Sequence, residues 1–474
     1  FPYTTLFRSK TPTEMVAELI ARARKAQAQI EYYTQEQVDE LCAAIAYEVT
    51  REDVVDRIGT LAYEESKMGN KASKCGKLRK KVRGCWRDIQ NEKSVGIIET
   101  NTEKGIVKLA KPVGVIGAII PCTNPEMTPV VKALDAIKCR NAIVFSPHPR
   151  TNKTNYEICE VMRHALKVHG APEDLIVTIT EVSMEASAAL MQQADLVIAT
   201  GGAGLVKSAY SSGTPAYGVG AGNAVVLIDD TADLDKAAEN VRVSKIFDWA
   251  TSCSSDNSLV VQSNIYDEFM PKLVAQGGYL CNAEEVKALE EMMFPGGKFN
   301  SKVAAQPAQK IAEMAGFSIP DDKTFIICEY EGFGLKEHPL SFEKLSVVVA
   351  VYKRDTFDEM IKVVNDIHEV AGKGHSCAIQ TTNDEHVMRL ATYTHTSRVM
   401  VNQATSQANT GNWNNGMPFT SSLGCGTWGG NIASENITYK HCMNTTWISW
   451  PIAENVPSDD VLFDKAKYHL DLDD

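Results

Sequence analysis

The hydrophobic positions of the chain change period twice. From Thr13 onward, Met15, Leu19, Ile20, Ala23 and Ala26 fall on one face with charges opposite. Glu36–Glu48 repeats the pattern through Val38, Leu41 and Ile45, continued by Val49. Spacings of three and four predict amphipathic helices. The first reads as a packed surface helix, with a targeting or docking peptide as the other reading. The charged run Lys71–Arg87 predicts a further, solvent-facing helix.

From Val95 the period shortens. Val95–Glu99 and Gly105–Ala110 flank Thr100–Lys104 and predict a hairpin. Strand-sized apolar runs then alternate with helical stretches. They are Val113–Ile120, a helix near Pro125–Ile137, Ala142–Ser146, a helix at Asn152–Val168, and Leu175–Thr180. A helix at Met184–Gln193, Asp195–Thr200 and a helix at Leu205–Tyr210 follow. Nearly continuous apolar strands between helices imply an α/β fold, its parallel sheet covered on both faces. A second α/β stretch begins at Ala224–Ile228 and runs past Val347–Val351 to Ser397–Val401. The tail from Gly424 to Pro451 is rich in Gly, Asn, Ser and aromatic residues.

At 474 residues the chain exceeds what one core supports, so two or three domains are expected. The segment Phe1–Lys10 reads as a non-native or disordered leader. A formal charge of −12 argues against nucleic acid or an anionic membrane as partner. No apolar run approaches the roughly 18–20 residues of a membrane span. The 12 cysteines are scattered without metal-ligand spacing, so no metal site is expected. Reduced thiols of this kind fit a cytoplasmic protein.

Cys253 carries the sharpest chemical signal. It lies in Phe247–Ser258 among small polar residues, just before the apolar Leu259–Val261. A thiol at such a turn is accessible and set among hydrogen-bond donors, which favours a reactive thiolate over an inert packed one. Cys122, at the end of an apolar strand, is the rival nucleophile and reads as a wall residue. Ala199-Thr200-Gly201-Gly202-Ala203-Gly204 joins a strand to a helix, a turn that lets backbone N–H groups approach a pyrophosphate. It is neither a Gly-x-Gly-x-x-Gly nor a P-loop, and a tight turn without ligand is an equal reading. Ser146-Pro147-His148-Pro149-Arg150 ends another strand, where an adenosine ribose rests in doubly wound folds; a solvated loop histidine is the other reading. No acid awaits a 2′-hydroxyl there, while Arg150 and Lys153 suit a 2′-phosphate, so NAD and NADP both stay open.

Several segments occur in order: Pro121-Cys122-Thr123-Asn124-Pro125, Phe145–Pro149, Ala199–Gly202, Tyr217–Asn223, the Cys253 turn, Glu343-Lys344-Leu345-Ser346, Gly374-His375 and Leu423–Asn431. Together they resemble the CoA-acylating aldehyde dehydrogenases, over about Thr11 to Pro451. Within that family they resemble the acylating succinate-semialdehyde and sulfoacetaldehyde enzymes and the aldehyde half of bifunctional aldehyde–alcohol dehydrogenases. The resemblance implies an aldehyde-dehydrogenase-like α/β architecture. A variant Rossmann cofactor domain would take 11–94 and 113–225, and an α/β catalytic domain 226–431. A small β oligomerisation element would combine 95–112 with 432–455, giving a homodimer or homotetramer. It further implies Cys253 as nucleophile and Asn124 as the oxyanion-hole amide. Ser146, His148, Pro149, Thr200, Gly201, Gly202, Gly218 and Val219 would lie in the cofactor cleft, and Glu343 with Leu345 at the nicotinamide ribose. His375, Asn402, Pro418, Thr420 and Cys425 are candidates for contacts with aldehyde or CoA.

Hydrolytic relatives carry a glutamate base where this chain has Val219. Without it water is a poor acceptor for a thioester, whereas the CoA thiol is a good one. Asp256 is the alternative candidate for that base. Gly430 stands where some semialdehyde enzymes place an arginine. The amide- and hydroxyl-rich set Asn402, Gln403, Asn412, Asn414, Asn415, Thr420, Ser421 and Ser422 suits an anionic head group, with a solvated loop as the other reading. The expected reaction converts a short, anionic aldehyde to its acyl-CoA with NAD or NADP. Sulfoacetaldehyde is placed ahead of succinate semialdehyde and of acetaldehyde or propionaldehyde. The expected setting is the cytoplasm, with a bacterial microcompartment as alternative. A hydrolytic aldehyde dehydrogenase with a displaced base, and a non-catalytic nucleotide-binding or shell-docking protein, are the competing readings.

Overall fold

The computed structural model describes residues 10–463; the leader reading therefore falls, but for Lys10, outside the described residues. Four helices open it: Pro12–Ile30, Gln35–Val49, Glu52–Ser66 and Lys71–Ile89. The first two begin with capping boxes, Thr11 with Glu14 and Thr34 with Gln37, which satisfy otherwise orphaned backbone donors. Their apolar stripes, among them Val16, Ile20, Leu41 and Ile45, are buried.

Beneath them lies a five-stranded parallel sheet. Its order is Ile176–Thr178, Ala142–Pro147, Val115–Ile120, Leu196–Thr200, Ala216–Val219. Val115–Ile120 and Ala142–Pro147 are buried at every position, which explains their unbroken apolar runs. A second parallel sheet has seven strands, with Asp256–Gln262 between Val348–Arg354 and Ala224–Ile228. Each sheet has its own apolar core. A third, antiparallel sheet joins Gly96–Asn101, Ile106–Pro112 and Met443–Ser449, and leaves Ile97 and Trp447 exposed.

Two local expectations change. The helix expected near Pro125 starts at Thr128, because Thr123–Met127 form a turn. The Lys71–Arg87 segment is helical but faces solvent on one side only: Lys71, Arg83 and Arg87 are exposed, whereas Lys74, Lys77 and Lys81 are buried. They share a stripe with Leu78, Val82 and Cys85, and their ammonium groups meet oxygen acceptors inside the protein.

The strand ends define where chemistry can occur. Cys122–Asn124, His148, Gly201 and Gly220 follow carboxyl ends of the first sheet; Cys253, Leu345 and His375 precede strands of the second. Ligands of open α/β sheets bind outside the carboxyl ends of the strands, and the two sheets face each other across that space.

Candidate active site

A cavity of about 980 Å³ opens between the sheets, bordered by Asn124, His148, Gly202, Val219, Cys253 and Glu343 among others. The turn that delivers Cys253 is unusual. Asp248, Trp249 and Ala250 have φ of 47°, 48° and 65°, three successive non-glycine residues in the left-handed region. Such backbone costs on the order of 1–3 kcal/mol per residue and persists only where surroundings over-determine it. Here the Asp248 carboxylate does so. It accepts from the Asn70 N–H at 2.9 Å and the Thr251 hydroxyl at 2.7 Å, and pairs with Lys77 at 2.5 Å and Lys74 at 3.0 Å. Gly69 makes room for it, since a Cβ there would lie 1.9 Å from Asp248 Oδ1.

The Cys253 sulfur lies 3.1 Å from His375 Nε2, and His375 Nδ1 lies 2.8 Å from Ser376 Oγ. Gly222 permits this approach, because a Cβ there would lie 1.9 Å from the Cys253 carbonyl oxygen. Burial, reinforced by Glu343 and Cys425, pushes the Cys253 thiol up to about 12. Burial and the Arg398 charge push His375 well below the ordinary histidine range. The resting pair is thus a neutral thiol beside a neutral imidazole, in contrast to the thiolate suggested by the polar sequence around Cys253. The imidazole is placed to take the proton as sulfur bonds to carbon.

Asn124 is oriented from behind. Lys77 donates to Asn124 Oδ1 at 2.5 Å, and an ammonium has no acceptor, so the amide oxygen must face the lysine. One amide N–H reaches Thr123 Oγ1 at 3.2 Å. The same lysine pairs with Asp248 and lies 3.2 Å from Glu126 Oε1. One buried cation therefore ties the amide to the turn that carries the thiol.

The other end of the cavity suits a nucleotide. The helix Ala203–Tyr210 begins at Gly202 without a side-chain cap, leaving backbone donors for an anion. Thr200 Oγ1 accepts from the buried Lys132 at 3.0 Å, and Ser146 and Ser187 share a hydrogen bond of 2.8 Å. His148 and Pro149 border the cavity; half-burial and Arg150 lower the His148 pKa. Glu343 Oε1 accepts from the Gly222 N–H at 3.1 Å, and burial pushes its carboxyl up to about 8. Leu345 lines the same wall. The uncapped helix start and a carboxyl group with hydroxyl-accepting capacity fit a dinucleotide.

Other sequence candidates lie elsewhere. The Asn402 amide brackets the backbone of Thr381, accepting at 2.9 Å and donating at 2.7 Å. Thr420 donates to the Ile437 carbonyl at 2.6 Å, and the Pro418 carbonyl accepts from Asn436 at 2.8 Å. Gly218 is hydrogen-bonded to Tyr210, and Asp256 is buried against Ser244 and Lys245. None of these five borders the cavity, and of the amide- and hydroxyl-rich set Ser421 alone does. Cys425 packs its carbonyl on Gly374, where a Cβ would lie 1.9 Å away, and so backs the loop of His375. Cys122 is in the wall, its thiol raised by burial. Sequence reasoning missed Lys77 and Lys81, both in the lining; the spacing of Lys81, four residues from Lys77 and Cys85 and three from Leu78, was the available signal. Among the described residues no helix is long and apolar enough to cross a membrane, and no cluster of His, Cys, Asp or Glu could hold a metal.

Residues 7–282 match the family model described as "Aldehyde dehydrogenase family". The sulfoacetaldehyde dehydrogenase of an Acholeplasma species is 43% identical over 454 residues, covering 95% of this chain and 93% of that protein. The acylating sulfoacetaldehyde dehydrogenase of Bilophila wadsworthia is also 43% identical, over 92% of this chain and 95% of that protein. Among solved structures, an acetylating aldehyde dehydrogenase from Geobacillus thermoglucosidasius superposes with a TM-score of 0.91 at 35% identity, over 94% of this chain and 98% of that one.

Proposed function

We propose that this chain, which belongs to the aldehyde dehydrogenase family, is an acylating enzyme that oxidises a short anionic aldehyde to its coenzyme A thioester. NAD+ or NADP+ is the hydride acceptor, and sulfoacetaldehyde is the leading substrate, in keeping with the names of the two relatives. The observation that carries this reading is the Cys253–His375 pair at a cavity bordered by Cys253 and Asn124, whose described lining has no carboxylate free to act as a base on water. Glu343 is the one carboxyl residue among the described lining residues. It is anchored on Gly222 and, at about 8, rests largely protonated near neutrality.

The aldehyde carbonyl carbon is attacked by Cys253 Sγ while the thiol proton passes to His375 Nε2. The oxyanion is met by the Asn124 amide and the Cys253 backbone N–H, donors worth roughly 2.7–4 kcal/mol each in comparable sites. A dinucleotide held by the Gly202 helix start and Glu343 would supply the acceptor for the hydride that leaves the former aldehyde carbon. His375 gives up the proton it took, the one released overall; the Cys253 thioester is then resolved by the CoA thiol, whose proton passes to His375 and on to the departing Cys253 sulfur. Aldehyde, CoA and NAD(P)+ thus become acyl-CoA, NAD(P)H and one proton.

The cofactor unit is assigned to 11–94 with 113–225, the catalytic unit to 226–431, and a β element to 95–112 with 432–455. Exposed Trp447, Trp450 and Ile97 on or beside the separate three-stranded sheet support its use between subunits of a homodimer or homotetramer. The cytoplasm, or a microcompartment within it, is the proposed setting. Reduction of NAD+ and NADP+ measured with and without CoA tests the central claim. Full-rate NAD(P)H formation without CoA would overturn it, and light scattering gives the subunit number.

A further inference from the structure

We propose that Lys81, with the hydroxyls of Ser406 and Ser421, is the seat for the sulfonate or carboxylate head of the aldehyde. This rests on the acylating dehydrogenase reading above and names what holds the far end of its substrate.

The helix Lys71–Ile89 turns three buried lysines inward. Two have carboxylate partners: Lys74 pairs with Asp248, and Lys77 with Asp248 and Glu126. Lys81 is different. Its ammonium donates to the Thr410 carbonyl at 3.0 Å, the Thr410 hydroxyl at 2.6 Å and the Gly411 carbonyl at 2.8 Å, all neutral oxygens. Among the described residues no carboxylate pairs with it, although it is only 4% exposed. Buried cations are ordinarily paired, because an uncompensated charge in a low dielectric is costly. Burial and the neighbouring Lys80 and Lys77 depress its pKa well below the lysine range, a strain that an arriving anion would relieve.

Lys81 borders the same cavity as Cys253 and Asn124. Ser406 and Ser421 border it too, and their hydroxyl oxygens are buried without a hydrogen-bond partner. Buried polar atoms are normally satisfied, so the two idle hydroxyls in the same cavity wall are donors that await an acceptor, while the ammonium, its three N–H groups spent on neutral oxygens, supplies a charge that has no counter-ion. The position sets the size of the ligand. Lys77 touches the Asn124 amide, and Lys81 lies one helical turn further, about 5–6 Å along the same face. An anionic group one or two methylenes from the carbonyl spans that gap. The phosphates of CoA, separated from its thiol by the long pantetheine arm, do not.

A purely structural role is the rival: Lys81 would simply latch the Thr410–Gly411 loop to the helix. The test compares kcat/KM for sulfoacetaldehyde, succinate semialdehyde and propionaldehyde in wild type, Lys81→Met and Lys81→Arg, with CoA and NAD(P)+ saturating. The anionic-to-neutral ratio is expected to fall about 10- to 100-fold in Lys81→Met, mainly through KM, and to recover in part in Lys81→Arg. A ratio that stays constant, whatever the absolute loss, overturns the proposal. Ser406→Ala with Ser421→Ala should lower the same ratio several-fold and leaves the lysine latch intact. A second measurement needs no turnover. Ethanesulfonate should slow iodoacetamide alkylation of Cys253 in wild type far more than propanol does, and not in Lys81→Met. Protection by ethanesulfonate without CoA-dependent oxidation of any aldehyde would sink the acylating reading and keep the seat. CoA-dependent oxidation with neither protection nor anionic preference would sink the seat alone.

Discussion

His375 Nε2 stands 3.1 Å from Cys253 Sγ, and both groups rest uncharged. On the proposed mechanism the nucleophile is therefore stored as a thiol and ionised during attack. Alkylation of Cys253 by iodoacetamide should keep rising with pH past 10, since burial has pushed the thiol to about 12, whereas a free cysteine levels off above about 8.5. A plateau near pH 8 in the ligand-free enzyme would contradict this. Replacing His375 with Asn should cut the acylation rate about 10²–10⁴-fold, read as loss of the first-turnover burst of NAD(P)H.

Asn124→Ala should lower kcat/KM about 10²–10³-fold for anionic and neutral aldehydes alike, because the oxyanion is common to both. Thermal unfolding of the variant should stay near wild type. A loss confined to one substrate class would place Asn124 at the head group instead.

Lys77→Met removes the cation shared by Asp248, Glu126 and Asn124. Breaking a buried pair from one side costs about 3–5 kcal/mol, so urea denaturation should show a loss of that order. Asp248 keeps Lys74, while Glu126 is left without a counter-ion; the double variant with Glu126→Gln should regain part of the loss. Arg at 77 should restore stability better than activity, since its fork cannot hold the Asn124 oxygen as the compact ammonium does.

Glu343 makes stability depend on pH. Its folded pKa, near 8, lies above the ordinary carboxyl value of 4.5, so the folded state binds the extra proton between those limits. Stability should fall as pH rises from about 5 to 8, by at most about 1.4 kcal/mol per unit from this group. Glu343→Gln should flatten that slope in melts at pH 5.5 and 8, and weaken NAD(P)+ binding in titration calorimetry. An unchanged slope would show that the carboxyl is not the source.

Much of the fold was legible because apolar periodicity is a local property. The helix Asn152–Val168 has the bounds its pattern predicts, and the continuous apolar runs at Val115–Ile120 and Ala142–Pro147 are two of the interior strands of a covered sheet. The lysine-rich helix was misplaced because charge normally marks a solvated face, and only partners far along the chain reverse that rule. Lys81 meets Thr410 across 329 positions, and Lys77 meets Asp248 across 171. Asn402, Pro418 and Thr420 were drawn toward the site by composition, yet their polar groups are spent on backbone that shapes nearby loops.

The sequence by itself determined the α/β alternation, the turn that holds Cys253, the placement of Asn124 at a strand end, and the absence of an acid at Val219. Those are matters of residue type and short-range spacing. Tertiary structure alone decided that His375, 122 positions away, would meet the thiol, and that burial would hold both neutral. It also left Lys81 as a buried cation without a carboxylate beside the reacting groups. Proton affinity and charge pairing depend on which distant groups are brought together and how much water they exclude, and no local pattern encodes that.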